Sequence, residues 1–95
     1  MEPSLDIRKL RPGLYTYRLT VGGEPLAEPT EAHSTISECL QDAAQEIGDG
    51  FPSVRVSYGA TGLGSFPVGL LAGDPEGLAD ELMERVSALI DAHRG

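Results

Sequence analysis

Apolar and polar residues alternate strictly from Leu14 to Val21. Tyr15, Tyr17, Leu19 and Val21 fall on one face, and Leu14, Thr16, Arg18 and Thr20 on the other. A period of two predicts a half-buried strand with its tyrosines and aliphatics facing inward. Gly22 and Gly23 follow. Both residues reach positive φ without a Cβ clash, which predicts a two-residue hairpin turn. The returning strand is expected to set Leu26 opposite Leu19 on the buried face. Pro25 and Pro29 remove backbone donors and assign that strand to a sheet edge.

Beyond Pro29 the period changes. Thr35, with Glu38 three residues on, has the form of a capping box. Ile36, Cys39, Leu40, Ala43, Ala44 and Ile47 then recur at the three-and-four spacing of one helical face, and Gly48 supplies a left-handed stop. Alternation returns at Val54, Val56 and Tyr58, predicting a third strand. A glycine-rich loop (Gly59, Gly62, Gly64) leads to Phe66, Val68 and Leu70 as a fourth. Asp74 then caps a second helix that opens on Pro75, with Leu78, Leu82, Val86, Leu89 and His93 along one side.

The predicted order is ββαββα: an α+β two-layer sandwich in which a four-stranded, mainly antiparallel sheet carries two helices on one face. Residues 14–95 form that single domain. Residues 1–13, charged and bounded by Pro3, Pro12 and Gly13, read as a leader that lies on the surface or stays mobile. The pattern also reads as one unit used twice, over 14–48 and 53–93. Sliding the first strand onto the third matches Arg18 with Arg55, Leu19 with Val56, Thr20 with Ser57 and Gly22 with Gly59, and the helices match at a larger shift. Shared patterning alone is the competing explanation.

Composition narrows the class. At 95 residues, 40% hydrophobic and 23% charged, the chain has one core, and it can bury roughly 60–70% of its unfolded surface without metal or disulfide staples. Seven basic residues against fifteen acidic ones give a net charge of -8, a field that opposes nucleic acid and anionic membranes and favours basic partners. Cys39, the single cysteine, excludes an intramolecular disulfide framework. Asp6, Arg8, Lys9 and Arg11 break any signal-like apolar run, so a cytoplasmic location is expected.

No catalytic constellation emerges. Cys39 belongs to a helix's apolar stripe, where a thiol packs as a small hydrophobe. His33 sits just before the helix cap and His93 on the final turn. One cysteine with two distant histidines cannot build a zinc centre, and the carboxylates do not follow a calcium loop. No cofactor or metal is expected. Gly59-Ala60-Thr61-Gly62-Leu63-Gly64 has the glycine content of a phosphate cradle, but no lysine and no helix follow it. Its Gly-x-x-Gly lacks the flanking helices and basic side chains of a nucleic-acid clamp.

Three surfaces remain as candidates. The uncovered sheet face is expected to show Thr16, Arg18, Thr20, Arg55 and Ser57, with Arg18 and Arg55 close together if the first and third strands are neighbours. The glycine loop, through Gly59, Gly62 and Gly64, is the candidate for a small ligand. The outer faces of the helices present Glu38 with Asp42, and Asp80 with Glu84 and Asp91, giving each helix a like-charged i,i+4 pair. Three functions correspond to them. The first is a non-enzymatic binding or assembly module that joins a protein partner or a second copy, as a homodimer, through the sheet face or an edge. The second is a ligand-binding domain or small enzyme using the loop. The third is an acidic regulator that docks on a basic partner.

Overall fold

The computed structural model describes residues 2–27, 32–59 and 61–94; the side chains of residue 27 and of 91–94, including Asp91 and His93, lie outside the described residues, as does Pro29. The order of elements is β1 (Ser4–Arg11), β2 (Leu14–Val21), β3 (Glu24–Ala27), α1 (Ile36–Ile47), a 3-10 turn (Gly48–Gly50), β4 (Ser53–Tyr58), β5 (Thr61–Pro67), α2 (Val68–Gly73) and α3 (Pro75–Arg94). The α+β class holds, but the sheet has five strands in the order β3-β2-β1-β4-β5 and is mixed, and there are three helices.

The expected leader is the central strand. β1 pairs antiparallel with β2 (Leu5 opposite Leu19, Ile7 opposite Tyr17) and parallel with β4 (Leu5 beside Val56, Ile7 beside Tyr58). Pro3, Leu5 and Ile7 are buried at alternate positions, while Ser4 and Arg8 are exposed on the other face. Two rows of side chains therefore cross the inner face, Leu19–Leu5–Val56 and Tyr17–Ile7–Tyr58. The two hairpins predicted as a repeat flank β1, one on each side, and α2 has no counterpart in the first unit.

Gly22 and Gly23 take φ of 62° and 86° in the two-residue turn, as the pattern requires. Register differs from expectation beyond it: Ala27, not Leu26, stands opposite Leu19, and the shift between Leu19 and Thr20 leaves Leu26 43% exposed. The fourth strand is also displaced. It starts at Thr61 and stops at Pro67, after which Val68 and Leu71 are buried at helical spacing in α2. Pro67, at φ -61°, begins that turn, and the Val68 N–H donates to Pro52 O. The expected glycine loop is thus a tight turn at Gly59 followed by β5. Gly62 pairs with Ser57 and Gly64 with Val56, and the extra residue between them is Leu63. That bulge turns Leu63 inward, onto the same side as Phe66 three positions later.

Helix α1 buries all six residues of its predicted stripe. Thr35 Oγ1 accepts from the Glu38 N–H at 3.2 Å, while the Glu38 carboxylate accepts from the Ser34 hydroxyl. Asp74 Oδ1 accepts from the Gly77 N–H at the start of α3. Along α3 burial fades: Leu78 and Leu82 are core residues, Val86 is half-buried, and Leu89 is 38% exposed. Among the described residues no helix is long and apolar enough to cross a membrane.

Candidate functional site

All five predicted residues of the sheet face lie on its helix-free side, but Arg18 and Arg55 are not neighbours. β1 separates them, with Asp6 opposite Arg18 and Ser4 beside Arg55. The acids of β1 and its approach hold this face together. Asp6 accepts from Arg8 Nε at 2.9 Å and from the Ser57 hydroxyl at 2.8 Å. Glu2 accepts from Ser53 at 2.7 Å and from Ser65 at 3.0 Å, and Arg55 Nε approaches it to 3.8 Å. The Ser53 hydrogen bond, with Ser65 and the Arg55 charge in support, holds the Glu2 carboxyl below its ordinary pKa. On the β4–β5 side of this face the serines are therefore bonded to Glu2 and Asp6, acids that already have partners.

Both sheet edges are blunted. β3 is four residues long and contains Pro25. At β5, Arg85 reaches from α3 to donate to Leu63 O at 2.7 Å, with its guanidinium 4.9 Å from the centre of the Phe66 ring and 3.1 Å from Glu81. A bulge and a carbonyl already bonded to a side chain discourage the addition of another strand. Gly59 and Gly64 meet backbone demands, with φ of 56° and 117°, whereas Gly62 has ordinary φ and is paired with Ser57 of β4.

Chemistry by the thiol is disfavoured. Cys39 has no exposure, and burial, reinforced by the charges of Glu38 and Asp42, pushes its pKa up to about 12. His33 is engaged elsewhere. Its backbone exchanges two 2.7 Å hydrogen bonds with Tyr15, its ring stacks on Tyr17 at a centroid distance of 6.3 Å, and its Nε2 lies 3.3 Å from Asp42 Oδ2. The Tyr17 hydroxyl donates to that same oxygen at 2.8 Å. Asp42, read from sequence as part of a solvated acidic face, is instead half-buried and ties α1 to β2.

The acidic pair on α3 has different surroundings. A cleft of about 420 Å³ opens between the start of α1 and α3, lined by Tyr15, Ser34, Thr35, Ile36 and Ser37 on one side and by Glu76, Ala79, Asp80 and Met83 on the other. Half of this lining is apolar or aromatic, and none of it is basic. Glu76 and Asp80 stand one helical turn apart, with no hydrogen bond or ion pair among the described residues. Glu84, one turn further along, is exposed. Asp80 was legible as an acidic-face residue; the cleft was not, because it joins Tyr15 of β2 to a helix some sixty residues later in the chain. Among the described residues no group of His, Cys, Asp and Glu could hold a metal ion.

No protein-family model matches the chain, and comparison with curated proteins and with solved structures finds no significant match.

Proposed function

We propose that this chain is a protein-binding module that docks its acidic helical layer, centred on the cleft between α1 and α3, onto a basic partner. The observation that carries this reading is the pair Glu76 and Asp80, two carboxylates at a concave, half-apolar surface whose described lining has no basic residue. The distribution of charge supports it. Five of the seven basic residues, Arg8, Lys9, Arg11, Arg18 and Arg55, lie on the sheet with Asp6 and Glu24, whereas the helices carry Glu38, Asp42, Glu46, Glu76, Asp80, Glu81, Glu84 and Asp91 against Arg85 and Arg94. The molecule therefore has one strongly negative side, which steers a basic protein toward the helices.

The alternatives draw less support. Docking on the sheet face would have to break or bury the Glu2 and Asp6 networks, and assembly through an edge meets Pro25 on one side and the Arg85-bonded bulge on the other. At the candidate ligand cradle, Gly62 and Gly64 are paired with Ser57 and Val56 of β4.

The test is capture of partners by immobilised wild-type protein and by Glu76→Gln/Asp80→Asn at about 0.1 M and 1 M salt, where screening lengths are about 10 and 3 Å. A partner of basic isoelectric point that is held by wild type at low salt, and lost both at high salt and on neutralising the pair, supports the reading. Equal capture by both proteins overturns it.

A further inference from the structure

The α1–α3 cleft has more structure than an acidic surface needs, and its contents select one kind of side chain. Ile36, Ala79 and Met83 offer apolar walls, Tyr15 is the aromatic residue among them, and Glu76 with Asp80 places two carboxylates on one wall only. The opposite wall carries the hydroxyls of Ser34, Thr35 and Ser37 and no carboxylate. A ligand that suits this asymmetry is long, with an apolar stem and one flat cationic head that bonds to both carboxylates. Among protein side chains arginine matches best: its guanidinium forks onto carboxylates and stacks on aromatic rings, whereas the lysine ammonium is a compact, strongly hydrated point charge.

We infer that the cleft is a receptor for a single arginine side chain of the partner, with the stem against Ile36 and Met83 and the guanidinium bonded to Glu76 and Asp80 and stacked on Tyr15. This inference rests on the docking reading above and adds to it a defined anchor, since affinity at protein interfaces concentrates in a few residues seated in pockets.

The experiment is a heteronuclear NMR titration of the labelled full chain with acetyl-Ala-Arg-Ala-amide, alongside the lysine and citrulline analogues, at low ionic strength and peptide concentrations up to about 10 mM, suited to a millimolar dissociation constant. The expected result is saturable shifts confined to Tyr15, Ser34–Ser37 and Glu76–Met83. The lysine peptide should bind several-fold more weakly, citrulline should not bind, and Glu76→Gln/Asp80→Asn should lose the response. Tyr15→Leu, whose fold is checked by its undisturbed distant amides, should erase the preference for arginine over lysine. Shifts spread equally over Glu38, Glu46 and Glu84, equal binding of lysine or citrulline, or no shift at all would overturn the inference. If salt-sensitive capture of a basic partner persists alongside any of these, the docking reading survives and only the arginine anchor falls; if capture also fails, both fall.

Discussion

The Tyr17 hydroxyl donates to Asp42 Oδ2 at 2.8 Å, joining the second strand to the outer side of the first helix. Tyr17 is only 4% exposed, so its hydroxyl has little water to turn to, and Asp42 also meets His33. Hydrogen bonds to charged groups contribute roughly 1.5–3 kcal/mol, less where the acceptor is partly solvated. Tyr17→Phe should therefore lower the unfolding free energy by about 1–2 kcal/mol. Asp42→Ala should cost more, because it strands the phenol, while Asp42→Asn, which keeps an acceptor, should cost less. Urea midpoints of the three variants check the ranking; a Tyr17→Phe midpoint equal to wild type would show that the bond contributes nothing net.

The position of β1 makes the first eleven residues indispensable. β2 and β4 pair with β1 and not with each other, so its removal leaves two hairpins without a shared sheet. A chain beginning at Pro12 should lack a cooperative melt and dispersed amide signals. Ile7→Ala is the milder version: Ile7 has no exposure, and a cavity at that site should cost about 2–5 kcal/mol. A truncated chain that still melts cooperatively would mean that β1 is an accessory strand.

Where side-chain periodicity was long, it was enough to predict the element: β2, α1 and β4 lie where their alternation or stripe placed them. The misses share a cause. β1 shows only Pro3, Leu5 and Ile7 at period two before Lys9 and Arg11 break the pattern, and its burial comes from strands far along the chain. In β5 the bulge shifts the phase between Leu63 and Phe66, so no single period describes it, and Val68 and Leu71 already belong to a helix. At the candidate site, Asp80 was visible as a charge on a helix face, but the pairing of that face with Tyr15 depends on how α3 crosses the start of α1. His33 and Asp42 are likewise joined by packing against Tyr17, which nothing in their own spacing announces.

Alkaline pH should weaken the fold in two stages. Burial holds the Cys39 thiol up to about 12, and burial followed by the hydrogen bond to Asp42 raises the Tyr17 phenol above its ordinary value. In the unfolded chain these groups ionise near about 8.5 and 10. Above those values the folded chain retains protons that the unfolded chain has released, so their stabilisation is complete below about pH 8.5 and declines as pH rises, by at most about 1.4 kcal/mol per pH unit for each group. Cys39→Ala should flatten the decline between about pH 8.5 and 10 and leave the tyrosine stage above it. Unfolding curves under reducing conditions across this range measure both; an unchanged slope in Cys39→Ala would show that the thiol does not ionise on unfolding.

The two strand glycines of β5 separate a backbone requirement from a binding role. Gly64 sits at φ +117°, and a Cβ built there would lie 3.1 Å from Arg85 Nη1, the guanidinium that bonds Leu63 O and covers Phe66. Gly64→Ala must therefore strain the backbone and displace that arginine, and should cost about 1–3 kcal/mol. Gly62 has ordinary φ and open space around its would-be Cβ. Gly62→Ala should be neutral, or stabilise by up to about 1 kcal/mol, since alanine restricts the unfolded chain. Thermal midpoints of the two variants decide the matter. Equal losses at both positions would mean that the bulge geometry does not govern this strand, whereas loss at Gly64 alone ties the glycine to the path of the backbone and to the arginine that closes the edge.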